Sequence, residues 1–335
     1  MTTRAPIAPI AVIDAGSNTI HLTIAEPDAS GTTLRTLADE SDMVRLGADV
    51  AERGMIGAER TRRAIAAITR QLAIAREHGA TTVLGIATEG VRRAENAESF
   101  LWLMERETGL RLTSITGEQE AALAYWGATS EDTSIARTTH GVLDLGGGSL
   151  ELIAGQGEKI LWRASLPLGA EATRQRWAPS EPPTFTELIA LWDGVHNALD
   201  ALKPPPLGAL ADLTVCGGTA AALATVAVRA FHKHTDSRVG SGSRRALPLA
   251  TLDELIRLTL RLDSAELTKR YHLREGRARL LFSGAVTLYA GMRRVNLGEL
   301  WVSRRGIREG AMLAWLRAGD AWLNAAAKGK LPASR

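Results

Sequence analysis

AVIDAGSNTIHLTIA at Ala11–Ala25 and GVLDLGGGSLELIAG at Gly141–Gly155 are two versions of one pattern. Each begins with buried-type β-branched residues, reaches an aspartate, passes through a small polar or glycine-rich break, and resumes an apolar run. Each therefore reads as a strand, a tight turn and a second strand. Asp14 matches Asp144, Gly16 matches Gly146, Ser17 matches Gly147 and His21 matches Glu151. The theme occurs twice, which marks a duplication and not a solenoid. Two related lobes with a cleft between them are expected.

Outward from these hairpins, Glu59–His78 has helical spacing, with Ile65, Ile68, Leu72 and Ile74 among charges, and Gly79 supplies a stop. Thr82–Ala87 predicts a short strand, Ala94–Thr108 a helix and Arg111–Ile115 a strand. Thr116 to Gln119 is a capping-box pattern that opens a helix through Glu120 to about Tyr125. The polar stretch Thr129–Thr139 breaks the pattern. Further on, Leu213–Val215 leads as a strand into Cys216-Gly-Gly-Thr219 and an alanine-rich helix. Pro204–Pro206 and Arg238–Arg245 read as loops. Leu252–Leu262 reads as an amphipathic helix, Leu300–Val302 as a strand and Arg308–Arg317 as a closing helix. The expected organisation is a first lobe at 1–128, a second at 129–303, and a C-terminal helix within 304–335 that packs back on the first lobe.

The 335 residues are 45% apolar, enough for two ordinary cores and too many for general disorder. One cysteine, Cys216, excludes an intramolecular disulfide and most cysteine-based metal sites. With no secretory-type leader and no membrane-length apolar run, a cytoplasmic protein is expected. The net charge of +3 is too small by itself to point to nucleic acid. Between Ser241 and Gly310, however, fourteen Arg and Lys stand against seven Asp and Glu. Such a stretch fits an elongated anionic ligand as well as it fits ordinary solvated helix faces.

Glycine-rich turns let several backbone N–H groups converge, and phosphate oxygens are natural guests of that concavity. Gly146, Gly147 and Gly148 supply such a nest, Ser149 adds a hydroxyl, and Asp144 is suited to Mg²⁺, directly or through water. Asp14 with Gly16, Ser17 and Asn18 repeats the device with more side-chain donors. Gly217, Gly218 and Thr219, between a strand and a helix, make a third cradle backed by a helix N-terminus. Arg92 and Arg93 follow a strand end, where a guanidinium clamps phosphate bidentately. Arg277 is one arginine among many in the basic stretch. Hydrolysis also needs a group to activate water, and the residues alone leave Glu118 and Glu120 as alternatives.

Together AVIDAGSNTIHL, ATEGVR, TGEQEA, VLDLGGGSLEL, LPLGA at Leu166–Ala170, CGGT and VSRRGIREG at Val302–Gly310 resemble the exopolyphosphatase/guanosine pentaphosphate phosphohydrolase (Ppx/GppA) family. The resemblance runs from about Ala11 to about Leu316. It implies an α/β fold of the actin-like ATPase superfamily, with two ribonuclease-H-like lobes flanking a central cleft. It also implies that Glu120 is the catalytic base, that Arg92 and Arg277 act on the phosphate, and that Asp144 and Glu151 handle Mg²⁺ and water; Asp14, as the repeat of Asp144, is a third metal candidate from the residues themselves. Arg279 is a departure, because the family commonly has aspartate there; Gly217 stands where serine is frequent. The long helical C-terminal extension of larger members is missing.

The resemblance makes removal of terminal orthophosphate from polyphosphate the leading expectation. The same chemistry on guanosine pentaphosphate is the alternative, and a non-catalytic guanosine tetra- or pentaphosphate-binding regulator is a third reading. A sugar or acetate kinase is more distant, because no adenosine-binding signature accompanies the motifs. A homodimer is implied by the resemblance alone, and neither a membrane nor a specific nucleic acid is an expected partner.

Overall fold

The computed structural model describes residues 7–132, 135, 137–204, 210–231 and 245–332. The chain divides into two compact units. One comprises the described residues up to Ser130 together with those from Arg305 onward; the other comprises those between Glu131 and Arg304.

The first unit is built on the hairpin of β1 (Ile10–Ala15) and β2 (Thr19–Pro27), to which β3 (Leu34–Met43) adds an antiparallel third strand. β4 (Thr82–Ala87) and β5 (Leu112–Ser114) continue the sheet parallel to β1, giving the order β3-β2-β1-β4-β5. Helices α1 (Leu46–Arg53) and α2 (Ala58–Glu77) follow β3, and the single turn α3 (Glu89–Arg92) follows β4. α4 (Ala97–Thr108) and α5 (Gly117–Thr129) flank β5. α2 buries Ile68 and Leu72 as its spacing predicts, whereas Ile65 and Ile74 are half-buried at the edge of that stripe. Thr116 and Gln119 form the expected capping box of α5, which runs on to Thr129 because its whole second half is buried.

The second unit repeats this plan. β6 (His140–Leu145), β7 (Leu150–Gln156) and β8 (Lys159–Leu166) form the antiparallel meander, followed by α6 (Ala170–Trp177) and α7 (Phe185–Asp200). β9 (Asp212–Cys216) lies parallel to β6 and leads into α8 (Gly218–Phe231). β10 (Arg245–Pro248), α9 (Leu249–Thr259), α10 (Ser264–Tyr271), the single turn α11 (Glu275–Ala278), α12 (Leu281–Val295) and β11 (Glu299–Val302) complete it. The sheet order is β10-β11-β9-β6-β7-β8.

A three-stranded meander extended by parallel strands is the ribonuclease-H-like sheet, and its double occurrence is the actin-like architecture. The duplication extends to detail. Asp14 pairs with His21 across the first hairpin, and Asp144 pairs with Glu151 across the second. Gly16 N–H donates to the Thr19 carbonyl at 3.0 Å, as Gly146 N–H does to Ser149 at 3.1 Å. The register shift between Ile24 and Ala25 recurs between Ala154 and Gly155.

Two expectations are corrected. Arg308–Arg317 lies in α13 (Ile307–Ala318), but α13 does not close the chain: a 3₁₀ turn at Gly319–Ala321 and α14 (Trp322–Lys328) follow it. Arg245 opens strand β10 instead of ending a loop, because it pairs with Val302. Of the expected loops, 205–206 and 238–244 lie outside the described residues. No helix among the described residues is long and apolar enough to cross a membrane.

Candidate active site

In the first unit the β1–β2 turn rests on the N-terminal end of α1. The Ser17 carbonyl accepts from Gly47 N–H at 2.8 Å, and the Asn18 carbonyl accepts from Val44 N–H at 3.0 Å and Arg45 N–H at 2.8 Å. On the other flank, Thr88 N–H donates to the Ala15 carbonyl at 3.2 Å, which seats α3 beside Asp14 and Gly16. α3 then aims its two arginines differently. Arg92 Nη1 donates to the Ile115 carbonyl at 2.5 Å and to Glu120 Oε2 at 3.3 Å. Arg93 Nη1 donates to Glu89 Oε1 at 2.9 Å, and Glu89 Oε2 accepts from Ser17 Oγ at 3.3 Å. Glu120 is buried at the first turn of α5, whereas Glu118 is exposed. Burial removes a carboxylate from competing water, and Arg92 holds the buried Glu120 in a defined orientation.

The second unit treats its glycine turn in the same way and goes further. Gly169 N–H donates to the Gly148 carbonyl at 3.1 Å, Ala170 N–H to Gly146 at 3.0 Å, and Glu171 and Ala172 N–H to Gly147 at 2.9 and 3.0 Å. These are the N-terminal donors of α6 that have no partner inside their own helix. A trans peptide points its N–H opposite to its carbonyl. With the three carbonyls drawn to α6, the N–H groups of Gly147, Gly148 and Ser149 face away from it together, as a nest for an anion. The approach needs Gly169: a Cβ there would lie 2.4 Å from the carbonyl carbons of Gly147 and Gly148. This gives LPLGA a physical role that its sequence did not disclose.

Beside this nest, Asp144 and Glu151 are cross-strand partners and both are buried. Ser165 Oγ donates to Glu151 Oε1 at 2.7 Å and orients it. Gly217, at φ +104°, carries the chain from β9 into α8 past Asp144, whose Oδ1 would be 3.3 Å from a Cβ at that position. The Arg277 guanidinium lies against Gly218, since a Cβ there would come within 2.4 Å of Arg277 Cζ. The second unit therefore brings together Gly146–Ser149, Gly217–Thr219, Asp144, Glu151 and Arg277. The first brings together Asp14, Gly16–Asn18, Arg92 and Glu120.

Sequence reasoning missed three groups. Glu89 links Ser17 to Arg93, but as a carboxylate at a helix start it carried no distinguishing signal. Arg308, on α13, donates through Nε to Thr23 Oγ1 at 2.7 Å and places Nη1 4.0 Å from Asp14 Oδ2. Asp132, His140 and Asp212 hold potential metal-ligand atoms within 4.8 Å of one another. The last group sits at the start of β6, about 13 Å of strand from Asp144 at ~3.3 Å per residue. There His140 Nδ1 is 2.5 Å from Asp212 Oδ1 and Nε2 is 2.7 Å from Thr138 Oγ1, so both ring nitrogens are engaged.

The basic stretch from Ser241 to Gly310 is not one continuous cationic track. Arg257, Arg279 and Arg294 pair with Asp253, Glu181 and Asp200, and Arg305 and Arg308 belong to the first unit.

Residues 23–318 match the model of the Ppx/GppA phosphatase family. The chain belongs to this family. It is 28% identical to Exopolyphosphatase 1 of Mycobacterium tuberculosis over 311 residues, 91% of this chain and 87% of that protein. It is 26% identical to a guanosine-5'-triphosphate,3'-diphosphate pyrophosphatase of Photobacterium profundum, over 92% of this chain but 59% of the relative. The crystal structure of the Aquifex aeolicus Ppx/GppA family member superimposes with a TM-score of 0.75 at 27% identity, covering 92% of this chain and 97% of that one. As a Ppx/GppA member, the chain is a phosphoanhydride hydrolase.

Proposed function

We propose that this Ppx/GppA enzyme is an exopolyphosphatase that releases terminal orthophosphate from inorganic polyphosphate with Mg²⁺. The observation that carries the reading is the capture of the Gly146–Gly148 carbonyls by α6; the three following N–H groups then point away from that helix, an arrangement that suits an anion. Those donors, with Ser149 and the Gly217–Thr219 turn, hold phosphoryl oxygens, and Arg277 adds the positive charge a polyanion requires. Gly16, Ser17 and Asn18 act likewise in the first unit. Glu120 takes the proton of the attacking water, and Arg92 fixes its carboxylate. No covalent intermediate is needed.

Buried carboxylates are hard oxygen donors that fit Mg²⁺. Asp144 and Glu151 would hold it, and Asp14 is the matching position in the first unit. When bound, the cation neutralises charge on the phosphate oxygens.

Similarity to the mycobacterial exopolyphosphatase supports polyphosphate as the substrate. Guanosine pentaphosphate hydrolysis is the second reading, since nothing in the nest distinguishes the phosphate's attachment. The Arg92–Glu120 pair, with its carboxylate buried, weighs against a non-catalytic regulator. Phosphate release from long-chain polyphosphate and from guanosine pentaphosphate, each with Mg²⁺, separates the three. Polyphosphate is expected to turn over faster; the reverse order would assign the second reading, and no release from either would assign the regulator. A cytoplasmic homodimer belongs to the same proposal; light scattering on the purified chain tests the dimer, and cell fractionation the compartment.

A further inference from the structure

Arg279 stands two residues beyond Arg277 and caps the C-terminal end of α11. Its Nε donates to Glu181 Oε1 at 2.6 Å. The other oxygen of that carboxylate accepts from Ser264 Oγ, and Ser264 is the first residue of α10. One carboxylate in the α6–α7 connection thus fastens both the beginning of α10 and the end of α11. Arg277 lies inside the segment so tied.

α11 has four residues, a single turn, which cannot hold its own geometry through internal hydrogen bonds. Buried Ala278 anchors one face of it. The charged tie to Glu181 is a directional restraint beside Arg277, and both partners are two-thirds or more shielded, at 32% and 27% side-chain exposure. Burial alone would push the Glu181 carboxyl up, but hydrogen bonds from Ser264 and Arg279 outweigh it and hold it below its ordinary range. The Glu181 hydrogen bond raises the Arg279 guanidinium in turn.

We infer that Glu181 is a positioning residue for substrate binding. Through Arg279 and Ser264 it holds α11 so that the Arg277 guanidinium stays against Gly218 at the start of α8, and it thereby sets affinity for the anionic substrate. Arginine at 279 is then not a loss of the family's aspartate but one half of a pair completed from the α6–α7 connection. The inference rests on the phosphate-binding role proposed for Arg277.

The test is steady-state hydrolysis of long-chain polyphosphate by the full chain carrying Glu181→Gln, Arg277→Met, or both. Glu181→Gln is expected to raise KM about fivefold with kcat within about twofold, the pattern of lost binding and not lost chemistry. In the Arg277→Met background the same change is expected to add less than about twofold, because residues acting through one group are not additive. Arg279→Lys, which keeps the charge, should stay within about twofold of the parent KM. An unchanged KM in Glu181→Gln overturns the inference, as does an equal increase in both backgrounds. If Arg277→Met alone leaves KM unchanged, the role proposed for Arg277 fails and the inference with it. Should Glu181→Gln fail to fold, Arg279→Met opens the same tie from its other end, with the same expected and overturning results.

Discussion

Arg92 Nη1 lies 3.3 Å from Glu120 Oε2 while donating to the Ile115 carbonyl, so one guanidinium joins the end of β5 to the first turn of α5. The pair is inside the first unit, with Glu120 at 9% side-chain exposure. In the proposed role of Glu120 as general base, its carboxylate must be aimed before substrate arrives, and Arg92 restrains it. Glu120→Gln should lower kcat by at least about 100-fold while polyphosphate binding persists. Phosphate release and a binding titration on the same variant check it; retained turnover would remove Glu120 from the chemistry. Arg92→Met should lower kcat about tenfold or more with folding intact.

Gly169 is required by the α6–nest approach. In Gly169→Ala the new methyl would sit 2.4 Å from two backbone carbonyl carbons, so the glycine loop or α6 must move. The expected result is about 1–3 kcal/mol of destabilisation, the usual effect of overpacking, together with weakened substrate binding. Thermal denaturation and KM measure the two effects; a variant with parental KM would separate the nest from substrate binding.

Gly310 on α13 meets α5 at backbone distance: a Cβ there would fall 1.8 Å from the Leu123 carbonyl oxygen, and one on Gly127 would fall 1.8 Å from the Gly306 carbonyl oxygen. Because the contacting atoms are main chain, no rotamer change relieves Gly310→Ala. It should destabilise the first unit by about 3 kcal/mol or slightly more and displace the helix that carries Glu120. Loss of thermal stability with a lowered kcat is expected; a stable variant with unaltered kcat would contradict the close contact.

Asp49 contributes acid-sensitive stability to the first unit. Burial pushes its carboxyl up, but hydrogen bonds from Arg60 Nε at 2.5 Å and Gly57 N–H at 2.9 Å, with the Arg60 and Arg53 charges, bring it below its ordinary value of 3.8. A carboxyl lowered in the folded state contributes stability above its unfolded value and loses it as pH falls through the folded one. Asp49→Asn should therefore be about 1–3 kcal/mol less stable at neutral pH, and the difference from the parent should shrink below pH ~4. Denaturant titrations at neutral and acid pH test it; a gap that stays constant would exclude the ionised carboxylate as the source.

The sequence by itself determined the duplicated hairpins, several of the strands and helices around them, and the capping box of α5. These are local: alternation, glycine turns and caps act through neighbours a few residues apart. The third strand of each meander was not predicted: β3, LRTLADESDM, is a mostly polar edge strand, whereas β8, KILWRASL, does alternate, with Ile160, Trp162, Ala164 and Leu166 on one face. Tertiary structure alone decided which of Arg92 and Arg93 meets Glu120, why Gly169 must be glycine, where Arg279 finds its counter-charge, and that Arg308 reaches Asp14 across 294 residues of chain. Each of these depends on which side chain a distant backbone leaves room for, and sequence spacing carries no record of that.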